Sequence, residues 1–224
     1  MSAELAPITD IDCVLFDLDG TLVDTAPDLG DAANAVRREL NLPPLPDARY
    51  RPVASAGARG LLRVALDMET DHPDYPVRRD ALLAYYRANL TTRSHMFAGI
   101  NQLLLSLELR GLRWGVVTNK PAFLTDPLMA QMKLNTRAAC IVSGDQVPQA
   151  KPAPDSILLG LQQAGVSAER SVYVGDDRRD IEAARAAGVR SIAAGWGYLG
   201  SDKPSDWNAD FLAANTAELA QLLA

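Results

Sequence analysis

"VLFDLDGTLVDT", residues 14–25, carries three apolar residues into two carboxylates one residue apart, Asp17 and Asp19, then a Gly-Thr pair and a third acid, Asp24. The apolar, partly β-branched run Ile11–Phe16 reads as a fully buried strand. Asp-Gly by itself is ordinary turn chemistry at a strand end. Two acids at i and i+2, however, point to the same side and repel. The rest of the chain decides whether they merely end a strand or build a site.

Working outward, residues 25–95 read as helical. Leu29, Ala32, Ala33, Val36 and Leu40 fall at helical spacing with charges between them. "NLPPLPDARYRP" (41–52) interrupts the pattern, which returns at 60–68 and 78–90. After Phe97 the texture changes to alternating strands and helices. Strands are expected at 113–119, 138–144, 171–176 and 189–195. Helices are expected at 101–110, 123–132, 154–164 and 178–187, with Gly111, Gly165 and Gly188 as stops and Thr216 capping a last one. The predicted fold is α/β: a Rossmann-like parallel sheet covered on both faces, with an inserted all-helical cap. The expected division is a core of 1–24 and 96–224 with a cap of 25–95.

Composition narrows the function. The chain has 224 residues, 48% of them hydrophobic, enough for one sizeable core with a smaller insertion. A net charge of −6 without a Lys/Arg run argues against nucleic acid or an anionic membrane as partner. Cys13 and Cys140 sit in apolar, strand-like stretches and read as buried free thiols; no CxxC or His-rich pattern suggests zinc. His72 and His95 lie in polar stretches and read as surface residues. "MSAELAPITD" lacks the pattern of a signal peptide, and no apolar run is long enough to span a membrane, so a cytoplasmic protein is expected.

One feature recurs along the α/β part. Apolar strands end in polar groups: Asp17 and Asp19, then Thr118 and Asn119, then Asp176 and Asp177. In open parallel sheets the ligand crevice lies beyond the carboxyl ends of the strands. Adjacent strands would therefore gather these groups in one place. In order along the chain stand "DLDGT" (17–21), "VVTNK" (116–120), "KPAPD" (151–155) and "GDDRRD" (175–180). Together they resemble the haloacid dehalogenase superfamily of phosphatases, over nearly the whole chain. "FDLDGTLVDTAPDL", "GVVTNKP" and "VGDDRRDIEAARAAG" look most like its phosphoglycolate phosphatase subgroup.

The resemblance implies a mechanism. Asp17 would attack phosphorus and become an aspartyl-phosphate. Asp19 would protonate the leaving oxygen and then activate water, its repulsion with Asp17 raising one of the two pKa values. Mg²⁺ would be held by the Asp17 carboxylate, the Asp19 backbone carbonyl and Asp176. Asp177 and Asp180 would stand behind these ligands, or cap the helix that follows. Thr118 would donate to a phosphate oxygen, Asn119 would position phosphate or substrate, and Lys151 would neutralise phosphate and keep Asp17 ionised. Gly20 and Thr21 would form a tight turn against the substrate. The helical insertion would be a lid. Within it, Arg59 of "SAGARG" (55–60) is the fork-shaped cation suited to a substrate carboxylate.

The implied partner is a small phosphate monoester. Asp19 favours phosphate chemistry over dehalogenation. A phosphomutase shares every core motif. A non-catalytic relative would be expected to have lost Asp17, Lys151 or Asp176, and all three are present. Besides 2-phosphoglycolate, "WGYLGSDKPSDWNAD" (196–210) and the "GARG" of the insertion resemble the branch acting on N-acetylmuramic acid 6-phosphate. Both substrates carry a carboxylate as well as a phosphate ester.

Overall fold

The computed structural model of the protein describes residues 6–224. Its centre is a parallel sheet of six strands: β1 (Cys13–Phe16), β4 (Arg113–Val117), β5 (Ile141–Val142), β6 (Ser171–Gly175), β7 (Arg190–Ala194) and β8 (Phe211–Ala213). Their order across the sheet is β5-β4-β1-β6-β7-β8. All four residues of β1 are buried, as their unbroken apolar run requires of a strand covered on both faces. Side chains alternate through the sheet. Val14 and Phe16 join the cluster containing Leu104, Leu128 and Leu219, whereas Cys13 and Leu15 join Ile157, Leu161 and Ala183. The helices carrying these residues are α5 (Ile100–Leu109), α6 (Ala122–Gln131), α7 (Asp155–Ala164), α8 (Arg178–Ala186) and α9 (Thr216–Leu222).

β1 is flanked by β4 on one side and β6 on the other, with Phe16 level with both Val116 and Val174. The chain leaves β1 toward one edge through β4 and β5, then returns to build the other. This reversal opens a crevice at the carboxyl ends of the three central strands. It brings the ends of "VLFD", "VVT" and "VGD" side by side.

The helical segment enters and leaves through an antiparallel ribbon of two strands, β2 (Val23–Asp24) and β3 (His95–Met96), with Val23 opposite Met96. Between them stand α1 (Ala26–Glu39), α2 (Asp47–Tyr50), a 3₁₀ turn (Arg51–Ala56), α3 (Gly57–Leu66) and α4 (Tyr75–Ala88). Leu61, Leu62, Leu82 and Tyr86 form its buried interior with Val36 of α1. The Pro-rich stretch 41–52, expected only to break a helix, folds over α1 instead. The Asn34 side chain donates to Leu45 O and accepts from Leu45 N and the Tyr50 hydroxyl.

Three further details differ from the sequence reading. The cap of α9 is Asn215, whose side chain accepts from the Ala217 and Glu218 amides; Thr216 is the first helical residue. The edge strand β8 was not expected from "DFLAAN", because three residues give too short an alternation to register. The two-residue ribbon is below any periodic signal. Cys13 and Cys140 are buried free thiols, as expected. No helix among the described residues is long and apolar enough to cross a membrane.

Candidate active site

Asp17 directly follows β1, and its amide donates to Val174 O at 2.9 Å, so the sheet ladder fixes its backbone. Its carboxylate Oδ1 accepts from Lys151 Nζ at 2.8 Å. The same ammonium donates to Val117 O (3.0 Å), the Tyr173 hydroxyl (2.8 Å) and Asp180 Oδ1 (2.6 Å). Lys151 thus ties the ends of β1, β4 and β6 to the first turn of α8. Burial disfavours its charge, but Asp17 and Asp180 outweigh that and hold the Lys151 ammonium above its ordinary range. Asp17 Oδ2 accepts no hydrogen bond from any described residue.

The loop bearing Lys151 is held by Asn119. The Asn119 amide group donates to Lys151 O and accepts from Lys151 N, both at 2.9 Å. Asn119 was expected to touch phosphate or substrate; its amide is spent on placing Lys151. Thr118 is buried at the end of β4, and its hydroxyl accepts from Lys120 N at 3.2 Å.

Behind Asp17 stands Asp176, 1% exposed at the end of β6. Its Oδ1 accepts from the Thr21 hydroxyl and its Oδ2 from Tyr198 N, each at 2.8 Å. A Cβ on Gly20, which has φ +94°, would lie 2.2 Å from Asp176 Oδ2; one on Gly197 would lie 2.1 Å from Asp176 Cβ. Both positions require glycine so that the backbone can close around this carboxylate. Gly20 and Thr21, expected against the substrate, therefore shape the seat of Asp176.

Carboxylate oxygens of Asp17, Asp176 and Asp180 all lie within 4.8 Å of one another. Burial, against the pull of Lys151, pushes the Asp17 carboxyl up to about 6. Burial, then the charges of Asp17 and Asp180, push Asp176 well above the usual carboxylate range. Lys151 pairs with Asp17 and Asp180 but not with Asp176, so among the described residues one ammonium faces three carboxylates, and an all-oxygen donor set suits a hard divalent cation. Asp177 is the N-cap of α8: its Oδ1 accepts from Arg179 N at 2.9 Å, while Asp180 Oδ2 accepts from Asp177 N at 3.1 Å. Helix capping and site building are the same arrangement here.

Asp19 lies apart from that cluster. Its Oδ1 accepts from the Thr25 hydroxyl at 2.6 Å and from Lys120 Nζ at 3.0 Å, with Oδ2 at 3.2 Å from the same ammonium. The expected repulsion between Asp17 and Asp19 is present but small: it is the least of the influences on Asp17, after burial, Lys151 and Asp180. Asp24, the third acid of the opening stretch, belongs to the ribbon, where it accepts from Arg51 and the Tyr198 hydroxyl, both at 2.9 Å.

A cavity of about 240 Å³ lies over these groups, between the sheet and the helical insertion. Asp17, Asp19, Thr118, Asn119 and Lys151 line its floor. The insertion contributes Ala54, Ser55, Ala56, Gly57, Ala58, and Leu82, Leu83 and Tyr86 from α4. Arg59 is exposed and does not line the cavity. Two cations that sequence reasoning did not single out do line it. Lys120 sits between Asp19 and the Tyr86 hydroxyl (2.9 Å), and Arg179 pairs with Asp177 (2.7 Å) and donates to Ser55 O (3.0 Å). In the sequence Lys120 ends the stretch "VVTNK" (116–120), and its position two residues after Thr118 is the signal that could have found it.

Comparison with known proteins agrees with this geometry. A family model described as haloacid dehalogenase-like hydrolase matches residues 14–194. A phosphoglycolate phosphatase of Xanthomonas campestris is 44% identical over 210 residues, covering 92% of this chain and 93% of that protein. An N-acetylmuramic acid 6-phosphate phosphatase of Pseudomonas aeruginosa is 39% identical over 211 residues, covering 94% and 93%. The crystal structure of a predicted phosphoglycolate phosphatase from Haemophilus somnus is similar with a TM-score of 0.85 at 25% identity, over 97% of this chain and 100% of that one. The chain belongs to the haloacid dehalogenase-like hydrolases, the family its four motifs resemble.

Proposed function

We propose that this hydrolase is a Mg²⁺-dependent cytoplasmic phosphatase of a small carboxylated phosphate monoester, converting 2-phosphoglycolate to glycolate and phosphate. The observation that carries the reading is the state of Asp17. One oxygen is held by Lys151 at 2.8 Å, the other has no donor among the described residues, and the group faces the cavity beneath the helical insertion.

Asp17 Oδ2 attacks phosphorus and the ester P–O bond breaks, its electron pair leaving on the alkoxide. Asp19 gives its proton to that alkoxide. Water then attacks the phosphorus of the aspartyl-phosphate, Asp19 takes a proton from it, and the Asp17–phosphorus bond breaks to release phosphate. Thr118 donates to a phosphate oxygen, and Lys151 offsets phosphate charge while fixing the rotamer of Asp17. Asp17, Asp176 and the Asp19 carbonyl would hold the Mg²⁺, with Asp180 and Asp177 fixing Lys151 and the start of α8. When bound, the cation supplies positive charge to the phosphoryl oxygens. The apolar walls from Leu82, Leu83 and Ala54–Ala58 exclude water.

The 44% identity to a phosphoglycolate phosphatase supports this substrate. A second reading, N-acetylmuramic acid 6-phosphate, is favoured by the 39% identity to a phosphatase of that name and by the small residues of the cavity roof, which leave room for a sugar. Side-by-side kcat/KM values decide between them. The expected result is a higher value for 2-phosphoglycolate, with one phosphate released per ester consumed. A higher value for the sugar phosphate makes the second reading correct. Isomerisation without phosphate release makes the protein a mutase.

A further inference from the structure

Three cations line the cavity: Lys151, Arg179 and Lys120. Lys151 is surrounded by four protein acceptors on the floor. Arg179 is held through Nε and Nη2 by both oxygens of Asp177, at 2.8 and 2.7 Å. Lys120 is the cation paired with Asp19. Its side chain is only 6% exposed, and its partners among the described residues are Asp19 and the Tyr86 hydroxyl. The Tyr86 ring lies 4.5 Å from the ammonium, which leaves it desolvated and fixed.

Position does the rest. Lys120 follows Thr118 by two residues in the loop after β4, and the loop is closed on itself by the bond from Lys120 N to the Thr118 hydroxyl at 3.2 Å. Its ammonium is 3.0 Å from Asp19 Oδ1. A group that protonates the leaving oxygen must sit within about 3 Å of it. In 2-phosphoglycolate one methylene separates that oxygen from the carboxyl carbon, so the carboxylate lies roughly 3 Å farther on. A fixed ammonium beside the acid is therefore within salt-bridge reach of a carboxylate on the carbon next to the ester oxygen. In N-acetylmuramic acid 6-phosphate the lactyl carboxylate lies across the sugar ring from the ester and cannot reach the same point. Arg59 is exposed and does not line the cavity.

We infer that Lys120 binds the substrate carboxylate, so that the core, and not the cap, selects esters whose carboxylate is one carbon from the phosphate oxygen. The inference rests on the phosphatase reading and deepens it. Phosphate is gripped by Thr118 and the carboxylate by Lys120, two residues apart on one rigid loop. The cap contributes Tyr86, which holds the ammonium in place.

The test compares 2-phosphoglycolate with isobutyl phosphate, in which an isopropyl group of similar shape replaces the carboxylate, for the parent and Lys120→Met; Lys120→Gln replaces the latter if it does not fold. The readout is the ratio of kcat/KM values, which cancels any general damage to Asp19. The parent is expected to prefer 2-phosphoglycolate, and the variant to lose that preference by about 30-fold or more, mainly through KM. Lys120→Arg should retain part of it. A parent without the preference overturns the substrate reading and the inference together. A parent that prefers 2-phosphoglycolate alongside a variant with the same preference overturns the inference alone, as does loss of the preference in Arg179→Gln but not in Lys120→Met.

Discussion

The floor and roof of one cavity are built on opposite plans. The floor and the layer beneath it are tied together by contacts far apart in sequence: Lys151 reaches Asp17 across 134 positions and Asp180 across 29, and Thr21 reaches Asp176 across 155. The roof offers alanines, a glycine, three leucines and a single serine, with the Tyr86 hydroxyl as its contribution to the charged network. The floor can hold charge in place; the roof can only enclose. On the proposed mechanism, bond-breaking and substrate selection belong to the sheet, and water exclusion to the helices.

Metal removal probes the floor hardest. Excess chelator should lower phosphatase activity by about three orders of magnitude or more, and Mg²⁺ should restore it. Ca²⁺ should restore it poorly, since its larger, looser shell would misplace Asp17. Asp176→Asn should weaken the Mg²⁺ dependence of both activity and Tm. Full activity in chelator, with no metal by elemental analysis, would break the comparison at its floor.

Lys151→Met comes next. It should lower kcat by about 100- to 1,000-fold, through loss of a fixed cation at the phosphate. It should also cost roughly 3 kcal/mol in urea unfolding of the metal-free protein, because Asp17 and Asp180 lose their shared buried partner. An unchanged unfolding midpoint would mean that the network does not stabilise the fold.

The smallest effect belongs to an exposed residue of the insertion. Arg59→Ala should leave kcat/KM on 2-phosphoglycolate within about twofold, as for an ordinary exposed side chain. A loss as large as that of Lys120→Met would return substrate reading to the cap.

The same contrast explains what could be read from sequence. The floor was legible because its chemistry dictates residue types at fixed strand ends: Asp17 and Asp19 after β1, Thr118 after β4, Lys151, and Asp176 after β6. Who holds whom was not. Asn119 and Thr21 are polar residues in the expected places, yet one positions Lys151 and the other Asp176, and no spacing rule separates a substrate contact from a supporting one. The roof gave the opposite case. Arg59 stood out because it is a lone fork-shaped cation among small residues, but it is exposed and does not line the cavity. Tyr198 shows a third limit. Its amide holds Asp176 while its hydroxyl accepts from the amides of Thr25 and Ala26 and donates to Asp24, linking the acidic cluster to the start of the insertion over more than 170 positions.

The central claim is that Asp17 carries the phosphoryl group during turnover. Rapid quench of the enzyme with ³²P-labelled substrate in Mg²⁺, followed by proteolysis and mass spectrometry, tests it directly. The account predicts an acid-stable, hydroxylamine-labile phosphate on the peptide containing Asp17, absent in Asp17→Asn, which should retain the parent's fold by circular dichroism. Label on another residue, or phosphate release by a folded Asp17→Asn at a rate near the parent's, would contradict it.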